Sequence, residues 1–360
     1  MKRVLLFFLL FSLCSTTAAF AENVWMDEGW QQVYREMDCD GLPMIVNARV
    51  LQVPEGTTAR EYHTKRLSDE FMVEKGQKID WSLLNCNTSQ GKWRYPTSMW
   101  PEYQFNGDDI YPLCSISALC SMLVNTRNSD YLTRMSGTYP DETDMSPIGN
   151  LTEEQVNAYA EQVAAACGCQ LGKPIRVFRG DQVEDVRKNI EACIRQTGTH
   201  YNPNPAEAEE YRFFDVWYPV YFQGLRLYSG EYISTTDGIE IPNMNMRLGV
   251  TTGHGLILAQ CVVFDPFTFV AEGPAQHILS VEDAIECFRE KYANMFLPGV
   301  RQITVSQIAM EYVAMTGDVS ATKGYTLYPA WVAQYTMEMD DGDAVSSYEA
   351  YHAVTGRPLF

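Results

Sequence analysis

Cys114, His254 and Asp265 are the residues of this chain whose types and order could carry covalent chemistry. Cys114 opens the apolar stretch 114–124, which reads as a helix. A helix N-terminus lowers a thiol pKa and favours the thiolate, the nucleophilic form. His254 precedes the apolar run Leu256–Phe264, and Asp265 follows it. A nucleophile, a base and a group that orients the base make an acyl-transfer site when the fold brings them together. The competing reading is structural. In it Cys114 is joined to Cys120 or Cys86, and His254 belongs to the loop Thr252-Gly253-His254-Gly255.

Other chemistry is thinly represented. The sequence has no G-x-S-x-G, no H-E-x-x-H and no phosphate-binding P-loop. The histidines at 63, 200, 254, 277 and 352 are too far apart in sequence to pair on one helix face. Cys167-Gly168-Cys169 is only a C-x-C. Asp340-Asp341-Gly342-Asp343 lacks the spacing and the later Glu of a calcium loop, so it reads as a solvated hairpin turn. No metal site and no cofactor is predicted. Trp93, Tyr95, Trp100 and Tyr103 fall in an irregular region and are candidates for an exposed patch that binds a peptide or glycan. Trp217 and Trp331 sit in strand-like runs and read as core.

The start of the chain says where this chemistry would operate. Met1-Lys2-Arg3 is basic, Val4–Leu13 is apolar, and Ala19-Phe20-Ala21 places small residues before Glu22. That is the layout of a secretory signal peptide cleaved after Ala21. The apolar run is too short to span a bilayer. The expected product is exported, with no stable membrane anchor. Nine cysteines follow residue 21, an odd number, and export permits disulfides. Cys193 and Cys287 lie on apolar helix faces and read as buried free thiols. An oxidising compartment counts against a free catalytic Cys114.

The chain carries 27 Lys+Arg against 46 Asp+Glu, a net charge of −19. Such a surface repels phosphate backbones and anionic headgroups, so nucleic acid and membrane-surface partners are not expected. The 46% hydrophobic and 12% aromatic content is that of a globular protein.

The elements that would position these residues follow from periodicity. Met44, Val46, Ala48 and Val50 alternate with Asn47 and Arg49, a strand with one wet face over 44–53. A polar, helix-like stretch follows from Ala59 to Phe71. Residues 85–149 are irregular apart from the 114–124 helix. Leu151-Thr152-Glu153-Glu154-Gln155-Val156 is a capping box, followed by a one-sided apolar stripe that ends at Gly168. Leu279-Ser280-Val281-Glu282-Asp283-Ala284 repeats the device, with a stripe of Ala284, Ile285, Phe288 and Tyr292. Strands follow each helix: 212–222, 225–234 and 255–264 after the first, 303–314, 327–339 and 345–354 after the second. Asp341-Gly342 is a hairpin turn. Trp331 is expected on the second helix stripe, with Val332 and Gln334 on the opposite face.

This layout resembles the PepSY-like fold, and more closely the exported YycI-type regulatory proteins and related lipoproteins of Gram-positive bacteria. The residues that carry the resemblance are 150–168, 278–291, 303–313, 327–337 and 351–359. Within them stand Tyr312, Pro329-Ala330-Trp331 and Ala353-Val354-Thr355-Gly356. The resemblance implies a binding, sensing or inhibitory module rather than an enzyme.

The expectation is therefore an α+β protein of two PepSY-like units, each a helix packed on an antiparallel sheet, plus an irregular N-terminal insertion. Its segments would be a signal peptide over 1–21, a strand and insertion over 22–149, and α+β units over 150–270 and 271–360. Its function would be non-catalytic: binding or modulating another extracytoplasmic protein or peptide. The contact would be an exposed sheet edge or the aromatic loop. The rival is a secreted papain-like cysteine peptidase or acyl transferase using Cys114, His254 and Asp265, which stand in the chain order of that family.

Overall fold

Asp40 and Gly41 hold φ of +55° and +91°, and between them the chain reverses. Two positive φ angles in a two-residue turn match the twist of the flanking strands. The result is a full-length hairpin of Trp30–Cys39 on Leu42–Leu51. The computed structural model describes residues 29–51, 53, 56–64, 92–94, 102–104, 113–116, 121–125, 131–132, 134, 139–140, 144–199, 202–231, 233–234, 239–262, 269–315 and 326–360.

This hairpin belongs to a mixed ten-stranded sheet. At the sheet's centre the 16-residue strand Val300–Met315 runs antiparallel to Thr326–Met339. On its other side it takes two parallel partners in turn. Leu42–Leu51 lies along its first half and Leu225–Leu227 along its second. Ala344–His352 pairs outside Thr326–Met339.

A second, eight-stranded sheet is antiparallel throughout. Its order is Arg176–Gly180, Phe213–Tyr218, Met246–Thr251, Gly255–Val262, Ser121–Asn125, Leu113–Ile116, Glu102–Gln104 and Lys92–Arg94.

Three α-helices occur among the described residues: α1 over Glu153–Cys167, α2 over Val183–Thr197 and α3 over Val281–Ala293. Thr152 and Ser280 cap α1 and α3 with complete capping boxes, closed by Gln155 and Asp283. Gly168 ends α1 in the left-handed conformation, at φ +69°. Both helices bury the expected stripes. Val156, Ala160 and Val163 of α1 join Ala284, Ile285 and Phe288 of α3 in one hydrophobic cluster. That cluster takes strand residues from both sheets, including Met44, Val46, Phe214, Leu248, Ile308 and Trp331. A second core lies under α2, where Val186, Ile190 and Cys193 meet Tyr131, Tyr211 and Phe213. A third forms on the far side of the long strands, where Val313, Val332 and Ala350 meet Tyr228 and Ile241. Phe360 packs against it.

The two helix-on-sheet units predicted from sequence are not what the chain builds. Strands dominate, and they interleave. Phe213–Tyr218 and Gly255–Val262 lie in the eight-stranded sheet, while Val220–Phe222 and Leu225–Leu227 lie in the ten-stranded one. The strand Leu42–Leu51 of the N-terminal hairpin sits beside Val300–Met315, where Met44 is the partner of Ile303, 259 residues on in sequence. Nor is the insertion irregular where it is described, for it supplies four strands of the second sheet. The predicted helix 114–124 is two strands, Leu113–Ile116 and Ser121–Asn125, paired antiparallel with Ile116 opposite Met122. A short apolar run suits a buried strand as well as a helix, and here sheet pairing decides. The helix-like stretch from Ala59 instead begins as strands Thr58–Ala59 and Tyr62–Thr64, and residues 65–71 lie outside the described residues.

Candidate functional site

Cys114 occupies a strand, so it has no helix N-terminus to activate its thiol. It pairs in register with Val124, and Val124 pairs with Ala259. His254 stands five residues before Ala259, in the turn joining Met246–Thr251 to Gly255–Val262. Two strand spacings and five residues of rise separate the two Cα atoms by roughly 19 Å. That is far outside hydrogen-bonding reach. His254 has other neighbours: its Nε2 lies 3.4 Å from Glu210 Oε2, and its ring stacks on Tyr211 at 4.5 Å. Asp265 lies outside the described residues.

Trp93 and Tyr103 are register partners on neighbouring strands, and Tyr103 is in turn opposite Cys114. Tyr95 and Trp100 lie outside the described residues. The acidic turn at Asp340–Asp343 is a hairpin loop in which Asp341 Oδ1 accepts the Asp343 N–H at 3.1 Å. Among the described residues no cluster of three or more metal-ligating side chains occurs. Cys39 and Cys287 carry free thiols. Burial, the leading cause for each, pushes the Cys39 and Cys287 thiols up. Both are therefore protonated and weakly nucleophilic near neutral pH.

The buried charges serve packing. Glu311 is 1% exposed and accepts from Arg226 Nε at 2.7 Å and from the Ser229 N–H at 3.2 Å. Asp215 is fully buried and takes Arg247 Nε and Nη2 as a fork, at 3.0 and 2.6 Å. A cleft of about 470 Å³ opens between α1 and the turn 251–255. Its lining mixes amides, hydroxyls and glycine backbone, from Asn150, Gln155, Tyr159, Thr252 and Gly253, with the apolar Leu151 and Ala158. Nothing in it pairs an acid with a base.

The feature best formed for recognition is an edge. Trp30–Cys39 is ten residues long and pairs only with Leu42–Leu51 among the described residues. Its side chains alternate cleanly. Val33, Arg35, Met37 and Cys39 turn inward towards α3, while Gln32, Tyr34, Glu36 and Asp38 are exposed. Arg35 is fixed to Glu282 of α3 at 3.0 Å. On the wet face Gln32 Nε2 donates to Asn47 at 2.8 Å, and the Tyr34 hydroxyl donates to Glu36 at 2.5 Å. That last bond raises the Tyr34 pKa. Asp40-Gly41 signals this hairpin in the sequence as plainly as Asp341-Gly342 signals the later one.

No family model matches the chain, and no curated protein matches it. The resemblance to PepSY-like and YycI-type proteins therefore gains no support from those comparisons. Among solved structures the chain is similar to an uncharacterized protein from Eubacterium rectale. The TM-score is 0.60 at 12% identity, covering 93% of this chain and 96% of that one. At that identity the likeness is one of fold alone. It spans nearly the whole of both chains.

Proposed function

We propose that this chain is an exported, non-catalytic binding module that captures an extended segment of another extracytoplasmic protein. The observation that carries the reading is the ten-residue edge strand Trp30–Cys39. An extended peptide can add to such an edge, with main-chain bonds giving affinity and alternate side chains giving specificity. Arg35, Glu36 and Asp38 along the strand discourage indiscriminate pairing, as charges on natural edge strands do. The register pair Trp93–Tyr103 at the outer end of the second sheet is proposed as a further contact.

The test is a selection of displayed extended peptides against the full chain. The selected peptide should protect the amides of Trp30–Cys39 from hydrogen exchange. A proline scan through Gln31–Asp38 should then split into two sets. Prolines that remove an outward N–H should abolish binding and keep the melting temperature, because no ladder bond is lost. Protection confined to another element, or binding that survives every folded proline variant, would overturn the proposal.

A further inference from the structure

Phe296 is 91% exposed, Met295 45% and Val345 52%. A large aromatic side chain so fully in water is uncommon on a monomeric protein, and clustered exposed apolar residues mark interaction sites. These three lie at one end of the ten-stranded sheet. Met295 and Phe296 follow α3 in the connection to Val300–Met315. That connection is held in place: the Met295 N–H donates to Tyr292 at 3.3 Å, and the Asp340 N–H donates to Gly299 at 2.8 Å. Leu297 packs on the main core together with Met337, and Val345 is the register partner of Met337 on the outermost strand. The apolar side chains are therefore displayed by ordered backbone with its own buried footing.

The unpaired charge around them is negative among the described residues. Two hairpin turns flank the connection. Asp340, Asp341 and Asp343 stand on one, and Asp38 and Asp40 on or beside the other. The second turn follows Cys39, which shares the main core with Tyr292 near the end of α3. All five carboxylates are exposed, and none forms an ion pair with a cation among the described residues. The neighbouring cations are each paired, Arg301 with Glu338 at 2.6 Å, Arg289 with Glu286 at 2.5 Å and Lys291 with Glu349.

We infer that Phe296, Met295 and Val345 form a docking surface for a protein partner that offers an apolar pocket rimmed by Lys or Arg. Phe and Met are enriched at the cores of protein interfaces, where they fill such pockets. The acidic rim selects the partner: it speeds encounter with a cationic surface and penalises an anionic one. It also disfavours a second copy of this chain, because a two-fold contact would oppose five carboxylates with the same five. Its apolar centre is distinct from the edge strand Trp30–Cys39, which contributes only Asp38 to the rim, so each can fail without the other.

The probes are two amphipathic peptides of about 15 residues, one of Leu and Lys and one of Leu and Glu. Each is titrated against the full chain by fluorescence anisotropy. The Leu/Lys peptide should bind at least about tenfold tighter than the Leu/Glu peptide, a difference of about 1.4 kcal/mol. Phe296→Ser should weaken it by about tenfold and leave the melting temperature unchanged, since the side chain is already in water. Replacing Asp340, Asp341 and Asp343 by Asn should weaken it less and flatten its salt dependence. Equal binding with and without Phe296, or no preference between the peptides, would overturn the inference. So would a dimer in sedimentation that Phe296→Ser dissolves. Peptide binding unaffected by the edge-strand prolines would confirm that the two surfaces are distinct.

Discussion

Trp331 is 2% exposed, and its indole N–H donates to the Leu279 carbonyl at 3.1 Å. The bond ties the long strand Thr326–Met339 to the residue just before the Ser280 cap of α3. Trp331, Ala333 and Tyr335 share the main core with Ala284, Ile285 and Phe288, as strand alternation requires. Val332 faces the other way, and that side is buried too, under Tyr228 and Ile241. Trp331→Ala should cost about 3–5 kcal/mol and express poorly or unfold without cooperativity. Gln334→Ala, on the half-buried polar face, should change the denaturant midpoint little. Equal effects of the two substitutions would show that the indole is not part of the core. A residue-scale reading succeeds here because alternation in a strand is local geometry. It misses on Cys114, because whether a thiol opens a helix or sits mid-strand depends on what pairs beside it.

At the scale of elements, the capped helices were the clearest signals. Thr152 accepts the Gln155 N–H at 3.3 Å, and Ser280 accepts the Asp283 N–H at 3.1 Å. Each cap satisfies a donor that the helix cannot satisfy itself. Thr152→Ala and Ser280→Ala should each cost about 1 kcal/mol. In a chain of this size that lowers the melting temperature by roughly 2–4 °C. Calorimetry on both variants checks it, and no shift in either would mean the caps are redundant. Helix α2 also carries a legible stripe, Val186, Ile190 and Cys193, yet Gln182 provides no side-chain cap and its start is unmarked. Strands of three to five residues in the second sheet are too short for any periodicity to mark them. Their pairing partners hold them in place.

For the whole molecule the decisive feature is the parallel pairing of Leu42–Leu51 with Val300–Met315. Met44, Val46, Ala48 and Val50 are each 0–1% exposed there. Removing the hairpin would bare that side of the central strand. Residues 150–360 expressed alone should therefore be insoluble or lack a cooperative transition, although the two-unit reading would have them fold. A soluble fragment with a sharp thermal transition would contradict the shared sheet.

The buried tyrosines set an alkaline limit. Burial pushes the Tyr131, Tyr218, Tyr228, Tyr292, Tyr312 and Tyr351 hydroxyls well above their ordinary value of 10.0. Below pH 10 both folded and unfolded chains keep these protons. Above it only the unfolded chain releases them, so stability is lost as pH rises. Each such tyrosine removes up to about 1.4 kcal/mol per pH unit. Tyrosinate absorbance should rise together with loss of near-ultraviolet circular dichroism. A gradual rise with the fold intact would show the hydroxyls to be accessible.

Features whose physics is local are legible in the residues themselves. These are the capped starts of α1 and α3, the wet and buried faces of Leu42–Leu51, the turn at Asp341-Gly342 and the inward face of Trp331. Each depends on residues within a few positions of one another, through caps, alternation or turn conformation. Tertiary structure alone decided which strands became neighbours. It sent Val220–Phe222 and Phe213–Tyr218 to different sheets and put the N-terminal hairpin beside the last third of the chain. It also made Leu113–Ile116 and Ser121–Asn125 strands, left Trp30–Cys39 at an edge among the described residues and set Cys114 far from His254. Hydrogen bonds between strands carry no trace in the sequence of either partner. An apolar strand accepts any edge of matching register, and only the collective burial of the final core selects one.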